Sequence, residues 1–193
     1  SYMLHYDRDR AWFLFEKLMD GKDVLLDTTQ VRAFLHRGMY KNFLRAKPYI
    51  EKMIESLKPE TQEMGAELAC IGAISDAAME SNAALNDAQE LAGKTLGGSP
   101  SLRRGAATVY VFNATNGSEP AIQSRCAEKL KNLINDDDEE VCKKIDNIFF
   151  HLHEGLFFEL KSIVGELALS KQHPMSYALA DYLWNHGMLD PAW

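Results

Sequence analysis

Three short stretches of the chain carry residue types that could do chemistry. Ala88-Gln89-Glu90-Leu91-Ala92-Gly93-Lys94-Thr95 falls one residue short of the Gly-x-x-x-x-Gly-Lys-Thr phosphate-binding signature. That loop works because a strand delivers it and a following helix N-terminus aims backbone N–H groups at phosphate. Here a helical stretch precedes it and Gly97-Gly98-Ser99-Pro100 breaks the chain directly afterwards, the context of a helix C-terminus. His151-Leu152-His153-Glu154 offers two imidazoles and a carboxylate. Helical residues two apart point about 200° away from each other, so His151 and His153 cannot share an ion from one helix. The run Asp136-Asp137-Asp138-Glu139-Glu140 lacks the alternation, central glycine and terminal Glu of a calcium loop, and its place between two helical segments predicts capping. Cys70, Cys126 and Cys142 are odd in number and show no Cys-x-x-Cys spacing, which reads as reduced, mostly buried thiols in a cytosolic protein. No acid, base, nucleophile and ligand set can be assembled from these parts. The chain is expected to hold no metal or cofactor and not to be a stand-alone enzyme.

Composition narrows the partners. The 193 residues are 46% hydrophobic and 25% charged, which is globular composition. The net charge is −7 and the isoelectric point about 5.4, a poor match for nucleic acid or anionic lipid. No apolar run approaches the ~18 residues that cross a bilayer, and the N-terminal residues lack a signal-peptide pattern, so a cytoplasmic location is expected. One segment runs against the acidic balance. Residues 31 to 58 hold Arg32, Arg37, Lys41, Arg45, Lys47, Lys52 and Lys58 against Glu51 and Glu55. They form either a solvated helix face or a basic patch for an anionic partner.

The elements that would position these residues read as helices. Breaks are predicted at Asp20-Gly21, Lys47-Pro48, Lys58-Pro59, Gly97 to Pro100, Asn116-Gly117, Asn135 to Asp138 and His173-Pro174. Thr108 to Phe112 is the one β-looking run, and it fits a helix as well. Between breaks, a repeat emerges. An apolar residue early in every second helix (Val31, Met64, Leu102, Val141, Met175) recurs at spacings of 33, 38, 39 and 34. The positions four, seven and eight residues after each anchor share its helix face. Of these twenty positions only Gly38 and Gly72 are not apolar, where 46% composition alone would make about nine apolar. The preceding helices agree: Cys126, Leu130, Leu133 and Ile134 correspond to Leu160, Val164, Leu167 and Ala168. Each unit is thus predicted to be two amphipathic helices joined by a short turn, burying its stripes only by stacking on neighbours.

The run from Cys126 to Ile145, a helix ending in an Asp-rich turn followed by a second helix, resembles a HEAT repeat. That family opens its second helix with an apolar–basic pair. The pair recurs as Val31-Arg32 and Leu102-Arg103 and is replaced at Met64-Gly65, Val141-Cys142 and Met175-Ser176. The resemblance extends over roughly residues 12 to 186 and is clearest from 99 to 152. It implies an all-α, right-handed α-solenoid of about five HEAT-like hairpins, a single domain and possibly a fragment of a larger protein. Second helices would line a concave face. Most such proteins are scaffolds, so the fold alone leaves function open. HEAT-type hydroxylases bind iron through several His-Glu pairs, of which this chain has only His153-Glu154.

Positions pointing away from the apolar stripe are the candidate site. They include Arg37 and Tyr40, Arg104 and Val111, Lys143 and Phe150, and Tyr177 and Trp184. Aromatic residues flanked by basic ones suit a protein or peptide partner, with Phe150 and Trp184 as anchors. The competing expectation buries these flanks against neighbouring repeats and covers Trp184 with residues 188–193. The alternative function is a nucleic-acid-binding HEAT-like domain, either DNA-glycosylase-like or the sensor segment of a larger signalling or defence ATPase.

Overall fold

The computed structural model describes residues 7–75, 79–117, 119–151, 154–173, 180, 181 and 184, and helix is the regular structure among them. The chain divides into two compact units, residues 1–106 and 107–193.

The first unit holds α1 (Arg8–Met19), a 3-10 turn (Asp23–Asp27), α2 (Thr29–Gly38), α3 (Phe43–Ile54), α4 (Pro59–Ile74), α5 (Asn82–Leu96) and the start of α6 (Pro100–Asn116). The starts follow local chemistry. Asp7, Thr28 and Ser81 accept from the first-turn N–H groups of α1, α2 and α5, and Pro59 fills the first position of α4. Gly21 ends the turn after α1 with a φ of +64°, the left-handed region that a side chain resists.

Most predicted breaks fall between helices, but Lys47-Pro48 does not. Pro48 lies inside α3. Proline in a helix costs about 3 kcal/mol through its missing N–H and its clash with the preceding turn. Against this, Phe43, Ala46, Ile50 and Met53 on one face of α3 are fully buried, and burying each large apolar side chain is worth roughly 1.5–3 kcal/mol. The carbonyl freed by Pro48 belongs to Leu44, an exposed residue of the first turn.

Helix α4 packs against both α3 and α5, and next-but-one helices also touch: α2 meets α4, and α3 meets α5. At one end an aromatic cluster closes the core. Phe15 stacks on Phe34 at 4.1 Å, while Trp12 and Tyr49 meet them edge-on. The two glycines that interrupt the apolar stripe are where rings come closest. A Cβ on Gly38 would sit 3.0 Å from Trp12, and one on Gly72 would sit 2.8 Å from Phe43. Every other stripe position from Val31, Met64, Leu102 and Val141 is buried, except the half-buried Met64 and Ile71.

The second unit holds the rest of α6, then α7 (Pro120–Lys131), α8 (Glu139–Asp146), α9 (Ile148–His151) and α10 (Glu154–Leu169). Thr108 to Phe112 lies inside α6 and is helical. Helix α7 packs on α10, and Cys126, Leu130, Leu133, Ile134, Leu160, Val164 and Leu167 are buried, whereas Ala168 is exposed. The acidic turn caps as expected: Asp138 accepts from the Val141 N–H at 3.0 Å, and Asp136 accepts from the Asp138 N–H at 2.9 Å. Beyond α10, the buried His173 ring places Nδ1 2.7 Å from Asp146 and Nε2 2.9 Å from the Ile134 carbonyl. One side chain thereby ties three segments of this unit together.

Candidate functional site

Between α2 and α4 in the first unit lies a cleft of about 220 Å³, lined by Thr29, Arg32, Ala33, His36, Glu67, Leu68 and Ile71. Its shape follows from helical spacing. Val31, Leu35 and Gly38 turn one face of α2 into the core, so Arg32, His36 and Arg37 stand on the other. Arg32 donates to the Glu67 carboxylate across the cleft, fixing both rims. His36 is held below its ordinary range, first by burial and then by the neighbouring Arg32 and Arg37 charges, which disfavour its protonated form. Its ring meets Tyr40 edge-on at 6.0 Å. Arg37 is exposed and has no ion-pair partner among the described residues. The cleft therefore offers a titratable imidazole, an Arg32–Glu67 ion pair and an apolar floor of Leu68 and Ile71, with the Arg37 guanidinium exposed next to His36 in the chain.

The residues singled out from the sequence separate on inspection. Arg37 is exposed on α2 and neither it nor Tyr40 lines the α2–α4 cleft; Tyr40 is half-buried on the core, with its carbonyl accepting from Arg8 at 3.2 Å. Arg104 lies on α6, bonded to Ser101 at 3.0 Å and paired with Glu63 of α4 at 3.7 Å, so it is engaged within the fold. Val111, expected to point outward, is buried at 4% exposure. The reason is that α6 is covered around most of its circumference. Ala106, Ala107, Val109, Tyr110, Val111, Ala114 and Thr115 are all buried, as in a helix enclosed on several sides rather than one. In the second unit, Lys143 is exposed but gripped by Glu139 and Glu140, whose hydrogen bonds raise its pKa. Phe150 and Trp184 are 61% and 85% exposed. Tyr177 lies outside the described residues.

The basic run of residues 31 to 58 is largely neutralised. Arg45 forks onto Glu16 and reaches Asp9, Lys47 meets Asp87, Lys52 meets Asp23, Lys58 meets Asp27, and Arg32 holds Glu67. Only the local composition of that run is basic; its acids come from α1, the 3-10 turn, α4 and α5. Glu67 and Ile71 were not among the candidate residues. Glu67 has a sequence signal, being a single acid in the apolar run Gly65 to Cys70, while Ile71 follows the core stripe and is drawn to the cleft only by packing.

The remaining motifs are structural. Lys94 pairs with Glu90 and the Thr95 hydroxyl donates to the Ala92 carbonyl in the last turns of α5, so Gly93-Lys94-Thr95 ends a helix rather than opening one. His151 is exposed at the end of α9, and His153 lies outside the described residues. The three cysteines are buried and form no disulfide. Burial and the nearby Asp136, Asp146 and Asp138 charges push the Cys142 thiol up to about 11. Among the described residues no helix is long and apolar enough to cross a membrane. Comparison with protein-family models, curated proteins and solved structures finds nothing that matches this chain.

Proposed function

We propose that the chain is a HEAT-like helical repeat protein, a non-catalytic scaffold that binds a protein or peptide segment along the face of its second helices. On this reading the hairpins belong to a right-handed α-solenoid of about five units. Support comes from the contacts of next-but-one helices, α2 with α4 and α3 with α5, from the packing of α7 on α10, and from the burial of the common stripe. The observation that carries the binding site is the α2–α4 cleft, where His36, next in the chain to the exposed Arg37, borders an apolar floor and Glu67 is already held by Arg32. Such a surface fits an acidic segment bearing apolar side chains. A nucleic-acid partner is less well supported, because five of the seven basic side chains between residues 31 and 58 are already bound to carboxylates.

Selection of a random peptide library on the intact chain tests this. Enriched peptides are expected to pair Asp or Glu with apolar residues, and His36→Glu/Arg37→Glu is expected to weaken them tenfold or more. Binding should also tighten at acidic pH, below the ordinary imidazole range, where the folded chain's His36 gains a proton. Peptides that bind wild type and variant equally, or retention on a polyanion column that outlasts the variant, would replace this reading.

A further inference from the structure

Helix α1 carries a second stripe that the core does not use. Ala11, Trp12, Phe15 and Met19 form its inward face. Arg10, Phe13, Leu14, Lys17 and Leu18 fall at the i, i+3, i+4, i+7 and i+8 positions of the other. Phe13, Leu14 and Leu18 are 52%, 46% and 51% exposed, so three large apolar side chains share one surface. Arg10 and Lys17 frame them, and neither has an ion-pair partner among the described residues. The acids of α1 are committed elsewhere: Asp9 and Glu16 both bind Arg45. The Lys17 ammonium instead lies 4.7 Å over the Phe13 ring. Beside the stripe, a cleft of about 390 Å³ opens between the end of α1 and Tyr49 and Lys52 of α3.

We propose that this outward face of α1 docks an acidic amphipathic helix of another protein. Charge selects the occupant. Two unpaired cations seven residues apart, about two helical turns, bracket an apolar centre, and a helix with carboxylates at the same spacing matches both features. A second copy of this chain does not, since antiparallel α1 helices would set Arg10 against Lys17 twice and parallel ones would set like against like. An anionic membrane is opposed by the net charge of −7. The proposal rests on α1 alone and stands or falls separately from the α2–α4 cleft.

The test uses the full chain and a fluorescein-labelled helical peptide with Leu and Phe on one face, framed by Glu residues seven apart. A counterpart replaces each Glu by Lys. The acidic peptide should bind at least tenfold tighter than the basic one. Phe13→Ser/Leu18→Ser should weaken it at least tenfold with an unchanged far-ultraviolet dichroism spectrum, and Arg10→Glu/Lys17→Glu should invert the preference between the peptides. His36→Glu/Arg37→Glu should leave binding intact; loss in that variant would move the peptide to the other cleft and overturn the proposal. So would equal binding of the two peptides, or binding indifferent to Phe13 and Leu18. Phe13-dependent self-association in sedimentation, or Phe13-dependent binding to phosphatidylserine vesicles without peptide binding, would overturn it as well.

Discussion

At the scale of single residues, His36 shows how burial and charge act together. Its position on α2 follows from the sequence, but its titration depends on the cleft wall and on Arg32 and Arg37. A base held below its ordinary range stays neutral in the folded chain while the unfolded chain takes up a proton. The unfolded state then binds more protons below about pH 6.5, so stability is fully present above that pH and declines as pH falls through it. Urea melts at pH 7.5 and 5.5 should show this decline, and His36→Gln should remove part of it. An unchanged pH slope in the variant would place the proton uptake elsewhere. Val111 and Arg104 teach the converse. Both sit at positions that a one-sided helix would expose, and both are engaged because α6 is covered on several sides. Helical periodicity places a side chain on a face; it does not say how many faces find partners.

At the scale of elements, α3 contradicts its own local signals and is rescued from a distance. It contains Pro48, and its N-cap residue Asn42 makes no side-chain capping bond. Instead the carboxylate of Glu80 reaches back to its first turn and accepts from the N–H groups of Phe43 and Leu44, each at 2.9 Å. A carboxylate at this end satisfies two orphan donors and complements the helix dipole. Replacing Glu80 by Ala should cost about 1–2 kcal/mol, read by chemical denaturation. Glu80→Gln, which can bond but carries no charge, should recover part of the loss. Equal stability of all three would mean that solvent caps α3 as well as Glu80 does. The pairing spans 37 residues and has no sequence pattern, unlike the Thr28, Ser81 and Asp138 caps, which announce themselves beside their helices.

At the scale of the whole molecule, each compact unit has its own buried set, and core substitutions should be felt first in the unit that holds them. Ile145 is fully buried on α8, and Ile145→Asp would bury an unpaired carboxylate at a cost on the order of 4 kcal/mol. Hydrogen exchange should then show lost amide protection in residues 107–173 before residues 7–75. Uniform loss would make the chain one cooperative block. The apolar stripes, the helix ends at Gly21, Pro59 and Gly97 to Pro100, and the capping role of Asp136 to Glu140 were all legible in the sequence, because each depends on side chains within a turn or two of one another. The same locality explains why Lys47-Pro48 misled: four residues of α3 bury themselves against helices that local pattern does not contain. It also explains the basic run, whose carboxylate partners lie on other helices up to 40 residues away. Helicity and the apolar face of each helix could be read from residue order alone, since periodicity and caps are short-range. Which charges pair, which outward residues are covered and where clefts open emerge only in three dimensions, since those depend on which helices become neighbours.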